Sequence, residues 1–196
     1  MAQYNIIAEN ENYTIVSDYE AVYRTSEKYQ TEAQLEQELI KNLTEQGYDY
    51  LPIHKEQDLV DNLRVQLQKL NGYTFTDSEW KRFFNDVIAN QNEGIEAKTT
   101  KIQEDHIQVL KRDTGETKNI YLIDKKNIHN NYLQVINQYE EEQGNHDTRY
   151  DVTILVNGLP LVHIELKRRG VQLKEAFNQI DRYQRDSFWA GCGLYE

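Results

Sequence analysis

The sequence predicts an α/β domain of the α+β kind, a mixed sheet flanked by helices, and three observations predict it. Apolar residues recur at helical spacing through much of the first hundred positions. From about Ile102 the texture changes to strand-like runs, and a closing amphipathic segment follows a hairpin. The chain has 196 residues, 38 % of them hydrophobic and 11 % aromatic, with 14 tyrosines. That is enough apolar surface for one buried core. It reads as a single domain over 1–196: about 1–100 mainly helical, about 101–190 a sheet core with its closing helix.

Taken in order, residues 31–46 carry Leu35, Leu39, Ile40 and Leu43 on one helical face, and Gly47 supplies a stop. Residues 56–70 repeat the pattern with Leu59, Leu63, Leu67 and Leu70. Thr76-Asp77-Ser78-Glu79 has the spacing of a capping box and opens a third helix through Trp80, Phe83, Phe84 and Val87. KIQEDHIQVLKR and NIYLIDKKN flank the turn-like Asp113-Thr114-Gly115, and NYLQVINQYE reads as a further strand. RYDVTILVNGLPLVHIELKRRG is the clearest hairpin, and VQLKEAFNQIDRYQRD closes the domain as a helix. The tail SFWAGCGLYE shows no stop signal, so the chain is expected to be a fragment of a longer subunit.

Composition narrows the function. No run of about 18 apolar residues exists to span a membrane, and the N-terminus lacks a signal-peptide pattern. One cysteine, Cys192, fits a reducing cytoplasm. A net charge of −11 argues against a general nucleic-acid coat. From Arg149 to Arg185, however, seven basic residues face four acidic ones, a local +3 on a body carrying −14. Such a patch can meet phosphates, and ordinary surface variation can produce it too.

Metal-assisted phosphodiester cleavage needs oxygen ligands for a hard cation and a nearby positive charge. Glu165 and Lys167, two apart on a strand, point the same way. A strict two-residue Asn157-Gly158 loop would pair Asp151 with Ile164 and put Asp151 on the wrong face. It would also split the aliphatic residues Val152, Ile154 and Val156 from Val162, Ile164 and Leu166. An odd loop, Val156-Asn157-Gly158 with a bulge at Gly158, repairs both faults. All six aliphatics then share one buried face, and Asp151, Glu165 and Lys167 share the other. The competing reading is a structural strand with its charges in water, since an acidic-x-lysine tripeptide is common.

The hairpin text, with Asp151, the Asn157-to-Leu161 turn and Glu165-Leu166-Lys167, resembles the N-terminal nuclease region of type I restriction enzyme R subunits (HsdR). That region belongs to the PD-(D/E)xK nuclease superfamily; here Tyr150 stands where the motif's proline would be. Gln179 and Tyr183 match the family's Gln-x-x-x-Tyr element, and the upstream segments look like the same family. The resemblance implies a restriction-endonuclease-like core and Mg²⁺-dependent hydrolysis of double-stranded DNA. Asp151 and Glu165 would hold the metal, and Lys167 would stabilise the transition state. Gln179 and Tyr183 would brace the site or contact DNA. Members often add a glutamate from the first core helix; Glu36 shares the face of Leu39, Ile40 and Leu43 and is the first choice, Glu32 the second. A solvated helix glutamate is the equally open reading. Arg168, Arg169, Lys174 and Arg182 are candidate DNA contacts; His163, expected on the same face as Asp151, reads as merely polar, and His146 and Asp147 as loop residues.

The resemblance also implies methyltransferase (M) and specificity (S) subunits as partners, no membrane, and an ATP-driven motor elsewhere in the subunit. None of the nine glycines here precedes a lysine, so the motor's phosphate loop is not in this stretch. The alternatives are a non-catalytic docking module of the same subunit and a RecB-like nuclease outside restriction.

Overall fold

The structure, a computed structural model, describes residues 5–9, 14–17, 30–141, 148–168 and 173–186. A strand pair, β1 (Asn5–Glu9) and β2 (Thr14–Ser17), opens the chain, an element the sequence did not announce. Helix α1 (Glu32–Glu45) starts at Thr31, whose hydroxyl accepts from the Gln34 N–H while the Gln34 side chain accepts from the Thr31 N–H. This reciprocal cap satisfies two otherwise orphaned donors, and Gly47, at φ 95°, turns the chain away after the helix. The two-residue strand β3 (Asp49–Tyr50) leads to α2 (Glu56–Asn71). Leu59, Leu63 and Leu67 of α2 are all fully buried, each worth roughly 2 kcal/mol of apolar burial.

The expected capping box is present at α3 (Asp77–Phe83), but the helix does not run on regularly. Its last turn, Phe84–Ile88, is π-helical, and the Lys101 ammonium takes the Val87 carbonyl while pairing with Glu93. Glu79, 2 % exposed, accepts from the Thr76 and Asp113 N–H groups and the Tyr73 hydroxyl. Burial pushes its carboxyl up, and those three bonds outweigh it and hold the pKa below the ordinary value. Glu79 thus ties α3 to the hairpin of β4 (Ile107–Lys111) and β5 (Thr117–Tyr121). Strand character was expected from about Ile102; instead α4 (Ile95–Gln103) continues through it, and β4 begins only after the helix has ended.

The central sheet contains β3, β6 (Leu133–Glu141), β7 (Thr148–Val156) and β8 (Leu159–Ile164) in the order β3-β6-β7-β8. β3 runs parallel to β6; the other pairs are antiparallel. The mixed sheet flanked by helices is the α+β architecture expected, and α5 (Leu173–Asp186) follows β8. One face, with Ile136, Leu155 and Leu159, packs on α2, α3 and β4–β5 to form the main core. The other, with Val135, Val152, Ile154, Ile164 and Leu166, packs on Leu39, Ile40 and Leu43 of α1.

Two details correct the sequence reading of the hairpin. Its loop has two residues after all: Val156 pairs with Leu159, and both Asn157 (φ 53°) and Gly158 (φ 83°) are left-handed, as a tight primed turn requires. The odd residue lies further on, where the register shifts from Leu155↔Pro160 to Ile154↔Val162 and leaves Leu161 as a bulge. Val152 then pairs with Ile164, the last pair of the ladder, which leaves Asp151 and Glu165 as the next residues along the two chains. The second correction concerns the faces. The side opposite Val152 and Ile154 is itself buried in its middle by Thr153 and Leu155, while Val162, expected inside, is 46 % exposed.

Candidate active site

Where β8 ends, the chain turns alongside α1 and α5, and Asp151, Glu165 and Lys167 come together there. Asp151 is held by the Leu166 N–H, which donates to its Oδ2 at 2.9 Å. The Lys167 ammonium donates to Glu165 Oε1 at 2.6 Å and to Gln179 Oε1 at 2.9 Å, so α5 supplies one wall. Glu165 is nearly closed off from water, its side chain 5 % exposed, and Lys167 is 18 % exposed.

The electrostatics describe two crowded carboxylates and one cation. Burial is the largest influence on Glu165 and pushes its pKa up; the Lys167 bond pulls it down, and the charge of Asp151 pushes it up again. Burial works against the Lys167 charge, yet the Glu165 bond, aided by Glu32 and Asp151, holds its pKa above the ordinary lysine value. Lys167 therefore stays protonated at neutral pH. Asp151 lies close enough to Glu165 to act on it both as a charge and as a hydrogen-bond partner.

The cleft beside Lys167 has a volume of about 670 Å³ and is lined by Thr31, Glu32, Lys167, Arg168, Glu175, Asn178 and Gln179. Of the two helix glutamates, Glu32 is the one on the cleft, its Oε1 accepting from the Arg168 N–H at 3.3 Å. Glu36 instead takes the side-chain amides of Asn137 (2.6 Å) and Gln138 on β6. Asn178 and Glu175 escaped the sequence reading; for Glu175 the signal was its place one helical turn before Gln179. Arg168 and Lys174 are exposed. Arg182 and Tyr183 lie on α5 without described side chains, and Arg169, His146, Asp147 and Cys192 lie outside the described residues.

His163 faces away from this site. Its ring stacks on Tyr150 (centroids 4.6 Å apart), its Nδ1 meets the Thr153 hydroxyl at 3.0 Å, and it borders an apolar groove with Ile88, Ile102, Leu122 and Leu161. Burial pushes its pKa down to about 4. Between that value and about 6.5 the unfolded chain binds the proton more readily, so stability is complete above this window and falls as pH drops through it. The wild type should lose roughly 3 kcal/mol more than His163→Phe between pH 6.5 and 4. Urea unfolding series at several pH values measure this, and parallel pH profiles would refute it.

Fold and site together define a class: an α+β domain whose central hairpin carries an aspartate on one strand and a Glu-x-Lys element at the end of the next. The chain belongs to the family Type I restriction enzyme R protein N terminus, which matches residues 29–195. It is 48 % identical over 191 residues to the Type I restriction enzyme EcoprrI endonuclease subunit of Escherichia coli, covering 97 % of this chain. Over 165 residues, 82 % of the chain, it is 39 % identical to the SsaAORF53P endonuclease subunit of Staphylococcus saprophyticus. The HindI endonuclease subunit of Haemophilus influenzae is 30 % identical over 181 residues. The chain spans 61 % of the length of the E. coli relative and 17 % of the other two. No helix among the described residues is long and apolar enough to cross a membrane.

Proposed function

We propose that this domain is the DNA-cutting part of a type I restriction enzyme R subunit, hydrolysing phosphodiester bonds of double-stranded DNA with Mg²⁺. The observation that carries the reading is the convergence of Asp151, Glu165 and Lys167 beside a cleft that Lys167 lines. Membership of the family and the names of the relatives support it.

The donor set fits a hard divalent cation. Two carboxylates repel one another, one of them out of water, and an oxygen-seeking cation relieves that repulsion. Asp151 and Glu165 would hold it. Held there, Mg²⁺ would supply charge to polarise the scissile phosphate and offset the negative charge of the transition state. Lys167 adds a fixed positive charge on the cleft side, where a phosphate oxygen approaches. Gln179 keeps that ammonium from swinging away, and the Leu166 N–H orients Asp151. Arg168 and Lys174, both exposed, would meet the flanking phosphates. In this reading the partners are DNA and the methyltransferase and specificity subunits, in the cytoplasm, with an ATP-driven motor in the same subunit.

Calorimetric titration of the chain with Mg²⁺ or Mn²⁺ tests it. Binding should be measurable and absent in Asp151→Ala; a wild-type chain with an intact fold and no divalent binding would count decisively against the proposal.

A further inference from the structure

Strand β6 breaks at one place, and the break lies across from Asp151. Asn137 pairs with Val152 and Tyr139 with Tyr150, so Gln138 is the residue facing Asp151, and it is left-handed, with φ 50°. A non-glycine residue there is strained, by about 1–3 kcal/mol, and persists only where its surroundings hold it. The break also switches faces. On a regular strand Asn137 and Tyr139 point the same way, as do Val152 and Tyr150. Here Val152 lies in the core under α1 and the Asn137 side chain reaches Glu36 of α1, whereas Tyr139 and Tyr150 lie in the main core. Unbroken alternation would put Asp151 on the side of Thr153 and Leu155, which are 1 % and 0 % exposed.

The Glu36 carboxylate bonds both residues at the break. One oxygen takes the Asn137 amide and the other the Gln138 amide, while Asn137 Oδ1 accepts from the Tyr50 hydroxyl at 2.9 Å. We propose that Glu36 is a positioning residue: by gripping Asn137 and Gln138 it holds the left-handed break in β6 and thereby sets Asp151 against Leu166 and Glu165. The consequence for metal affinity rests on the cation reading above; the positioning of Asp151 does not.

The test is a double-mutant cycle of Glu36→Ala with Gln138→Gly, because glycine takes the left-handed conformation without strain. Two quantities are read: hydrogen exchange at the Leu166 amide, which reports its bond to Asp151, and Mn²⁺ affinity by calorimetry. Glu36→Ala alone should speed Leu166 exchange and weaken Mn²⁺ binding on the order of 10-fold or more, the usual effect of losing a supporting partner. In the Gln138→Gly background the same change should do little. Unchanged Leu166 exchange in Glu36→Ala overturns the proposal. So does complete loss of Mn²⁺ binding in both backgrounds, which would make Glu36 a ligand. A wild-type chain that binds no Mn²⁺ would sink the cation reading instead, and Leu166 exchange would still decide the positioning role.

Discussion

Replacing Lys167 by alanine in the full-length subunit, assembled with its partners, is expected to lower DNA cleavage by roughly 10³-fold or more. ATP hydrolysis by the motor should continue. The charge lost is that of the ammonium bonded to Glu165 and lining the cleft. Asp151→Asn should abolish cutting equally, but with the opposite effect on the fold. The asparagine oxygen can still accept from the Leu166 N–H, while the repulsion between Asp151 and buried Glu165 disappears. The metal-free unfolding midpoint should therefore rise, by up to about 3 °C for 1 kcal/mol in a chain of this size. Cleavage and ATPase assays with thermal melts read all of this. Joint loss of cutting and ATP use, or a lower midpoint in Asp151→Asn, would mean that these residues serve the fold rather than the chemistry.

Gly158→Ala should be the most destabilising single methyl addition at any described glycine, by roughly 3 kcal/mol or more. A Cβ there would lie 2.6 Å from the Leu63 Cα, backbone against backbone, in the middle of a helix whose leucines are fully buried. Gly115 supplies the control. It has nearly the same left-handed conformation (φ 87° against 83°) but nothing within 4 Å of the added carbon. Gly115→Ala should cost only the conformational penalty, about 1–2 kcal/mol. The difference in urea unfolding free energy isolates the close approach of the turn to α2; equal costs would show that the two do not press together.

That close approach explains why the turn was misjudged from sequence. Asn157 is fully buried, its amide donating to the Leu122 carbonyl and to Asn131 Oδ1, its Oδ1 accepting from the Tyr132 N–H at 2.9 Å. These partners are 25 to 35 residues away in the chain. They pin the turn at two residues, so the extra residue demanded by the aliphatic pattern had to go elsewhere. It went to Leu161, just past Pro160, on the outer strand of the sheet. Proline has no N–H to lose from a ladder, and a bulge is least disruptive at an edge. The π-helical turn at Phe84–Ile88 was hidden for a similar reason: its apolar spacing is that of any helix, and the Lys101 bond to Val87 is remote in sequence.

The grouping of Asp151, Glu165 and Lys167 was therefore legible in the sequence alone. The aliphatic pattern demands one extra residue in the hairpin, and the bulge at Leu161 supplies it, bringing Val152 level with Ile164 and Asp151 and Glu165 to the next positions, although Val162 itself stays 46 % exposed. Only the tertiary structure decided how the register is reached, which helix glutamate meets the cleft, and how Asp151 is aimed. Glu32 and Glu36 are one helical turn apart and chemically identical, so periodicity cannot separate them. The distinction comes from a break in β6 a hundred residues away, where Gln138 turns left-handed and its side-chain amide donates to Glu36. Parity is a property of neighbouring residues; the placing of a strained backbone is a property of whatever packs against it.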